Sequence, residues 1–179
     1  MATATHSPTC IIIPSDVQEL EYAPPTHAFK MVPSSLGTDW PTPVADDGPI
    51  AKAAEILNAG EKVAILIGQG ARGARAEVLE VAELLGAGVA KALVGKDVLA
   101  DDLPFVTGSI GLLGTRPSYE MMMNCDTILT VGSNFPYTQF MPKLDQARGI
   151  QIDRDGAFIG MRYPYELNSS PTPPPPCGP

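Results

Sequence analysis

Residues 62–73, KVAILIGQGARG, decide how the rest of the chain reads. Val63-Ala64-Ile65-Leu66-Ile67 is a short apolar run that predicts a strand. It enters Gly68-Gln69-Gly70-Ala71-Arg72-Gly73, and residues 74–85 follow with helical spacing. Strand, glycine turn and helix start together form an arrangement that cradles a phosphate. The glycines allow close backbone approach, and the first helical turn offers unpaired N–H groups at the positive end of its dipole. The spacing Gly68-x-Gly70-x-x-Gly73 also matches the dinucleotide fingerprint literally. That fingerprint calls for an acidic residue at the end of the second strand, to hold a ribose hydroxyl. Here that end reads Ala92-Leu93-Val94, with Asp97 only beyond the loop, which weakens a nicotinamide-dinucleotide reading. A tight turn and helix–sheet packing are the alternative account of the glycines.

Working outward, the same rhythm repeats. Upstream, Pro49 opens a helix whose stripe is Ile50, Ala53, Ala54 and Leu57, with Gly60 as its stop. Downstream, the 74–85 helix turns Val78, Leu79, Ala82 and Leu85 inward, and residues 88–94 form a second strand with 95–97 as its exit loop. Residues 106–115, VTGSIGLLGT, carry Gly108, Gly111 and Gly114, and 108–114 read as a glycine loop. A helix over 116–124 turns Tyr119, Met122 and Met123 to the core, and strands follow at 127–131 and 150–153. Strands alternating with helical segments predict a parallel sheet with helices on both faces and right-handed crossovers.

The flanks differ in kind. Cys10-Ile11-Ile12-Ile13-Pro14 is a β-branched burst that reads as one strand, and residues 15–18 read as a turn or short helical turn. From residue 21 to 49 six prolines forbid regular helix, so the segment reads as an extended linker. The tail SSPTPPPPCGP holds no core-forming residues and reads as disordered or polyproline-like.

At 179 residues the chain suits one domain with a substantial core, and its formal net charge of −8 argues against nucleic acid or an anionic membrane as a partner. No apolar run approaches the roughly 18 residues needed to span a bilayer, and the N-terminus lacks the features of a signal peptide. Cys10, Cys125 and Cys177 form no CxxC pair. These features together predict a cytoplasmic protein without disulfide or zinc site. The catalytic inventory is poor: His6 and His27 both lie in the irregular N-terminal region, and there is no HExxH, Walker lysine or carboxylate pair. No catalytic residue and no metal ligand is assigned.

In open parallel sheets, ligands bind beyond the carboxyl ends of the strands. The segments in that position are 68–73, 94–96, 132–137 and 153–154, with the 108–114 loop close by. Arg72 and Lys96 suit a phosphate or plain solvent. Asn134 suits a heterocycle or a left-handed turn, and Phe135 and Tyr137 suit a ring or packing. Asp153 suits ribose hydroxyls or the capping of its own turn.

Taken together, IGQGARG at 67–73, ALVGKDVLADDLP at 92–104, GSIGLLGT at 108–115, CDTILTVGSNFPYTQF at 125–140 and IQIDRDGAFIG at 150–160 resemble the central domain of thiamine-diphosphate-dependent enzymes, in the pyruvate oxidase and acetolactate synthase group. CIIIPSDVQ at 10–18 is similar to the closing strand of that family's pyrimidine-binding domain. The resemblance implies a three-layer, Rossmann-like α/β fold with about six parallel strands. It implies that residues 1–49 end a preceding domain and link it onward, that 50–168 are the central domain, and that 169–179 are a tail. It also implies FAD in this domain, with ADP or an empty cleft as the alternatives in other branches. Gly68, Gln69, Gly70, Ala71 and Arg72 would then lie near the pyrophosphate and ribityl part. Val94, Gly95, Lys96, Gly111, Leu112 and Gly114 would line the flavin side. Gly132, Ser133, Asn134, Phe135 and Tyr137 would run along the FAD, and Asp153 and Arg154 would approach the adenosine end. Thiamine diphosphate and Mg²⁺ would belong to the parent enzyme, between pyrimidine- and diphosphate-binding domains absent here. The family's GDG…N metal motif and activating glutamate are missing, so the chain resembles an excised middle domain, not catalytic alone and open to self-association.

Overall fold

The strand β1 (Val63–Ile67) is buried at every position, and its side chains divide by parity between two cores. Val63, Ile65 and Ile67 face one cluster, which holds Ile56, Val78 and Ala82 from two helices. Ala64 and Leu66 face the other, which holds Met122 from a third helix. A strand alternates its side chains between faces, so a run with no polar position must be covered on both sides. That requirement alone makes β1 a central strand. Truncating Ile65 to alanine would cost about 2–5 kcal/mol, the range for large-to-small changes in a packed core.

The structure is a computed structural model describing residues 10–23 and 47–169. The chain divides into two units, residues 1–41 and 42–179. In the first unit the described part holds one short helix, α1 (Ser15–Gln18), as expected of that turn. Residues 10–14 form no strand, contrary to the expectation, and Ile11 and Ile12 are exposed. An isolated β-branched run has no ladder to join and so cannot express its propensity. Residues 1–9, the proline-rich stretch 24–46 and the tail 170–179 lie outside the described residues.

The second unit contains α2 (Asp47–Asn58), β1, α3 (Arg75–Leu85), β2 (Gly88–Lys91), β3 (Val106–Ser109), α4 (Arg116–Asn124), β4 (Thr127–Val131), β5 (Arg148–Ile152) and β6 (Leu167–Ser169). The six strands form one sheet in the order β3-β2-β1-β4-β5-β6, every neighbouring pair parallel. With helices packed on both faces, this is the three-layer α/β architecture that the sequence implies.

Some local expectations shift. The first helix of the second unit begins at Asp47, ahead of Pro49, and buries Ile56 with Ala53 and Leu57 beside it, while Ile50 and Ala54 face solvent. The second strand stops at Lys91, because Leu93–Gly95 winds into a 3₁₀ turn. Residues 106–109 are a strand, so it takes in the first two residues of the glycine loop expected over 108–114. Edge strand β6 carries too few residues to leave a sequence signal. In α4, Met122 is buried but Tyr119 is exposed. Thr115 caps this helix, its hydroxyl accepting from the Ser118 N–H at 3.4 Å.

Candidate functional site at the carboxyl edge

Strand order reverses between β1 and β4, so the loops leaving their carboxyl ends flank the topological switch point where open sheets bind ligands. After β1 the chain winds through a 3₁₀ turn, Gln69–Ala74, into α3. After β4 it reverses at Gly132, whose φ of +58° lies in the left-handed region. The two loops interlock. The Gly68 N–H donates to the Val131 carbonyl at 3.0 Å, Gly70 N–H to Gly132 at 3.0 Å, and Ala71 N–H back to Gly68 at 3.1 Å. A Cβ on Gly95 would stand 2.8 Å from the Cα of Gly68, so the loop after β2 closes on the same point. Two of the three fingerprint glycines, Gly68 and Gly70, therefore let three loops touch, and the amides of Gly68, Gly70 and Ala71 are engaged by the chain itself.

Arg72 is the charged side chain of this turn. It donates through Nε to Asp97 at 3.0 and 3.3 Å, and through Nη2 to Asp97 at 3.1 Å and the Val94 carbonyl at 3.3 Å. The guanidinium holds the Asp97 carboxyl below its ordinary range. Lys96 on the same loop reaches Asp101 at 3.5 Å. Asp101 also pairs with Lys91, a residue the sequence reading passed over although a lysine inside the apolar run VAKALV was its signal.

A second group forms where the loops after β3 and β4 meet. Gly111, at φ +119°, lies with its Cβ position 3.4 Å from the Phe135 ring. Phe135 and Tyr137 stack edge-to-face with centroids 5.5 Å apart. Beside them the Asn134 Oδ1 is buried without a hydrogen-bond donor. Ser133 is buried, its carbonyl facing Gln151 Nε2 at 3.5 Å. Leu112 and Val94 stand exposed at the same edge, Gly114 folds under Gly111 with its N–H donating to the Gly111 carbonyl at 2.9 Å, and Gln69 faces solvent. Lys96, Asp101, Thr107, Ser109 and Thr115 line a hollow of about 260 Å³ beside β3.

The loop after β5 is organised differently. Asp153 Oδ1 accepts from the Asp155 N–H at 3.0 Å, so one carboxylate oxygen caps its own turn. Buried Gln151 ties this loop down, donating to Phe158 at 3.2 Å and accepting from the Gly160 N–H at 2.9 Å. Arg154, one residue on, is exposed. Among the described residues no group of three His, Cys, Asp or Glu side chains could hold a metal, and no helix is long and apolar enough to cross a membrane.

A family profile described as the central domain of thiamine pyrophosphate enzymes matches residues 50–170. The chain belongs to this family. Among relatives of this central domain, a Bacillus subtilis (strain 168) protein, YdaP, assigned as thiamine pyrophosphate-containing, is 39% identical over 115 residues, 64% of this chain and 20% of its own length. A Methanococcus aeolicus protein assigned as an acetolactate synthase large subunit is 30% identical over 163 residues, 88% of this chain and 27% of its own. Pyruvate oxidase of Lactiplantibacillus plantarum is 28% identical over 70% of this chain and 21% of the oxidase. The fold matches an X-ray structure from Mycobacterium smegmatis, described as a thiamin diphosphate-dependent enzyme, with a TM-score of 0.57, 22% identity, and 70% and 25% of the two chains covered. The chain thus spans only about 20 to 27% of the length of these relatives.

Proposed function

We propose that this chain supplies the central domain of a thiamine-diphosphate-dependent enzyme acting on 2-oxoacids, of the pyruvate oxidase or acetolactate synthase type, and that its carboxyl edge binds FAD. The observation that carries the FAD reading is the buried Asn134 Oδ1 with no donor. A buried acceptor left unmet costs about 1–3 kcal/mol, so such atoms call for a partner. FAD offers N–H and O–H donors along its length. The ring-bearing edge beside Asn134, formed by Gly111, Phe135 and Tyr137, suits its flat part. Arg72 and Lys96 suit its diphosphate, and Asp153 with Arg154 its adenosine end. The residues present fit the group. Bound there, FAD would supply a redox centre, and this chain would bind and orient it.

In this reading residues 1–49 are the end of a preceding domain and its linker, 50–168 the central domain and 169–179 a tail. The partners are the pyrimidine- and diphosphate-binding domains, which would hold thiamine diphosphate and Mg²⁺. The protein is placed in the cytoplasm, and its exposed edge favours self-association when those domains are absent.

A second reading is a structural and assembly domain whose cleft is empty or holds ADP. The engaged amides of Gly68, Gly70 and Ala71 favour it, because they cannot also donate to a pyrophosphate. The full chain, purified with FAD present, decides between the two. Retained flavin absorbance supports the first reading. Colourless protein that takes up neither FAD nor ADP in calorimetry overturns it.

A further inference from the structure

The inference starts from Lys91 and rests on the reading above, that the carboxyl edge receives a diphosphate-bearing ligand. Lys91 ends β2 and is 0% exposed. A lysine is almost never buried so completely unless its ammonium is paired. The ammonium donates to the Leu99 carbonyl at 2.6 Å and meets Asp101 Oδ1 at 2.6 Å. Both partners lie in the middle of the loop that leaves β2, so the lysine ties that part of the loop back to the sheet. The nearer part of the same loop carries Val94 and Asp97, which together hold Arg72. That ion pair is exposed on both sides, and an exposed pair by itself fixes a guanidinium only weakly. The direction of Arg72 then depends on how rigidly the loop presents its acceptors.

We infer that Lys91 is a positioning residue: by pinning Leu99 and Asp101 to the end of β2, it fixes Val94 and Asp97, and through them the Arg72 guanidinium that receives the ligand's diphosphate. Arg72 matters in this role because three neighbouring amides of its turn are already engaged. With Nε and Nη2 held by Asp97 and the Val94 carbonyl, the Nη1 side of the guanidinium is what this loop turns toward a diphosphate oxygen, as a charge-assisted donor where backbone amides are committed elsewhere.

The test uses the full chain with Lys91→Met, which keeps the straight stem and removes the ammonium. Asp101→Ala breaks the same link from the exposed side and serves if the first variant does not fold. The Arg72 Nε–H signal, identified by its loss in Arg72→Gln, is followed by nitrogen-15 NMR. Both variants should speed its hydrogen exchange about tenfold or more. Calorimetric affinity for FAD and ADP should fall about tenfold, as for a misdirected charge-assisted pair. Adding Lys91→Met to Arg72→Gln should lower affinity no further, which a merely structural role would not predict. Unchanged Arg72 exchange in a folded variant overturns the inference, as does a full additional loss in the Arg72→Gln background. If the wild type binds FAD or ADP and the variants bind it equally well, only this inference falls. A wild type that binds neither overturns the ligand reading and the ligand role of Lys91 with it.

Discussion

Gly70 crosses Gly132 at backbone contact: its N–H donates to the Gly132 carbonyl at 3.0 Å, and a Cβ on Gly70 would stand 2.7 Å from the Gly132 Cα. Neither residue has a flexible side chain that could yield. Gly70→Ala should therefore destabilise the fold by about 1–3 kcal/mol, the range for overpacking. Gly132→Ala should cost at least as much, since it adds a residue at φ +58° to a position 2.6 Å from the Gly70 Cα. Gly73→Ala, with nothing within 4 Å of its Cβ position, should be near neutral. Urea unfolding of the three variants checks the order.

This crossing shows where the sequence was legible and where it was not. The run Val63–Ile67 announced a doubly covered strand, because no polar residue breaks it. The glycines of residues 68–73 announced a close approach but not what approaches. A glycine allows contact with a phosphate or with another loop in the same way, and only the tertiary fold brings Gly132 there. Strand β3 was hidden for a related reason: Gly108 has φ +105° and sits where the edge bends, so its local pattern is that of a loop. The family motifs singled out Gly111, Phe135 and Tyr137 on separate loops, and it is the fold that brings them close. They left out Lys91, whose partners Leu99 and Asp101 come together only once the loop closes.

If Asn134 meets FAD as proposed, its replacement should separate ligand binding from folding. Its Oδ1 is buried and unmet in the protein alone. Removing an unsatisfied polar atom relieves a desolvation cost instead of adding one. Asn134→Ala should thus leave stability within about 0.5 kcal/mol or raise it slightly, while weakening FAD about tenfold. Thermal unfolding of the free protein and FAD titration of the same samples measure both. A variant with unchanged FAD affinity would show that the atom does not meet the ligand.

Alkaline pH should destabilise the domain through the buried Cys125 and the partly buried Tyr165. Cys125 is 3% exposed, and burial, reinforced by the Asp126 charge, pushes its thiol up to about 12. Burial likewise pushes the Tyr165 hydroxyl up to about 12, partly offset by its hydrogen bond to Thr130 Oγ1. The unfolded chain releases these protons at ordinary values, so between roughly pH 9 and 12 the folded state binds more protons than the unfolded one. Their contribution is complete below about pH 8.5 and falls as pH rises toward 12. Urea midpoints between pH 7 and 11 should decline, and the decline should be shallower in Cys125→Ala and in Tyr165→Phe, each compared with its own neutral value.

Four large apolar side chains are exposed on the loops leaving adjacent strands β2 and β3: Leu93, Val94, Leu112 and Leu113, by 65, 59, 71 and 84%. Single exposed apolar residues are ordinary, but four on the neighbouring loops of one sheet edge suggest a surface that is normally covered. In the proposed parent the covering comes from the FAD and the neighbouring domains. Without them the full chain should self-associate with rising concentration, because burying this group removes apolar area from water at about 25 cal/mol per Å². Leu93→Ser combined with Leu113→Ser should move the protein toward monomer without lowering its thermal midpoint, since neither side chain belongs to the buried core. Size-exclusion chromatography with light scattering measures the shift. A double variant that associates as strongly as the wild type would place the contact on another face, and saturating FAD that fails to reduce association would separate this edge from the ligand site.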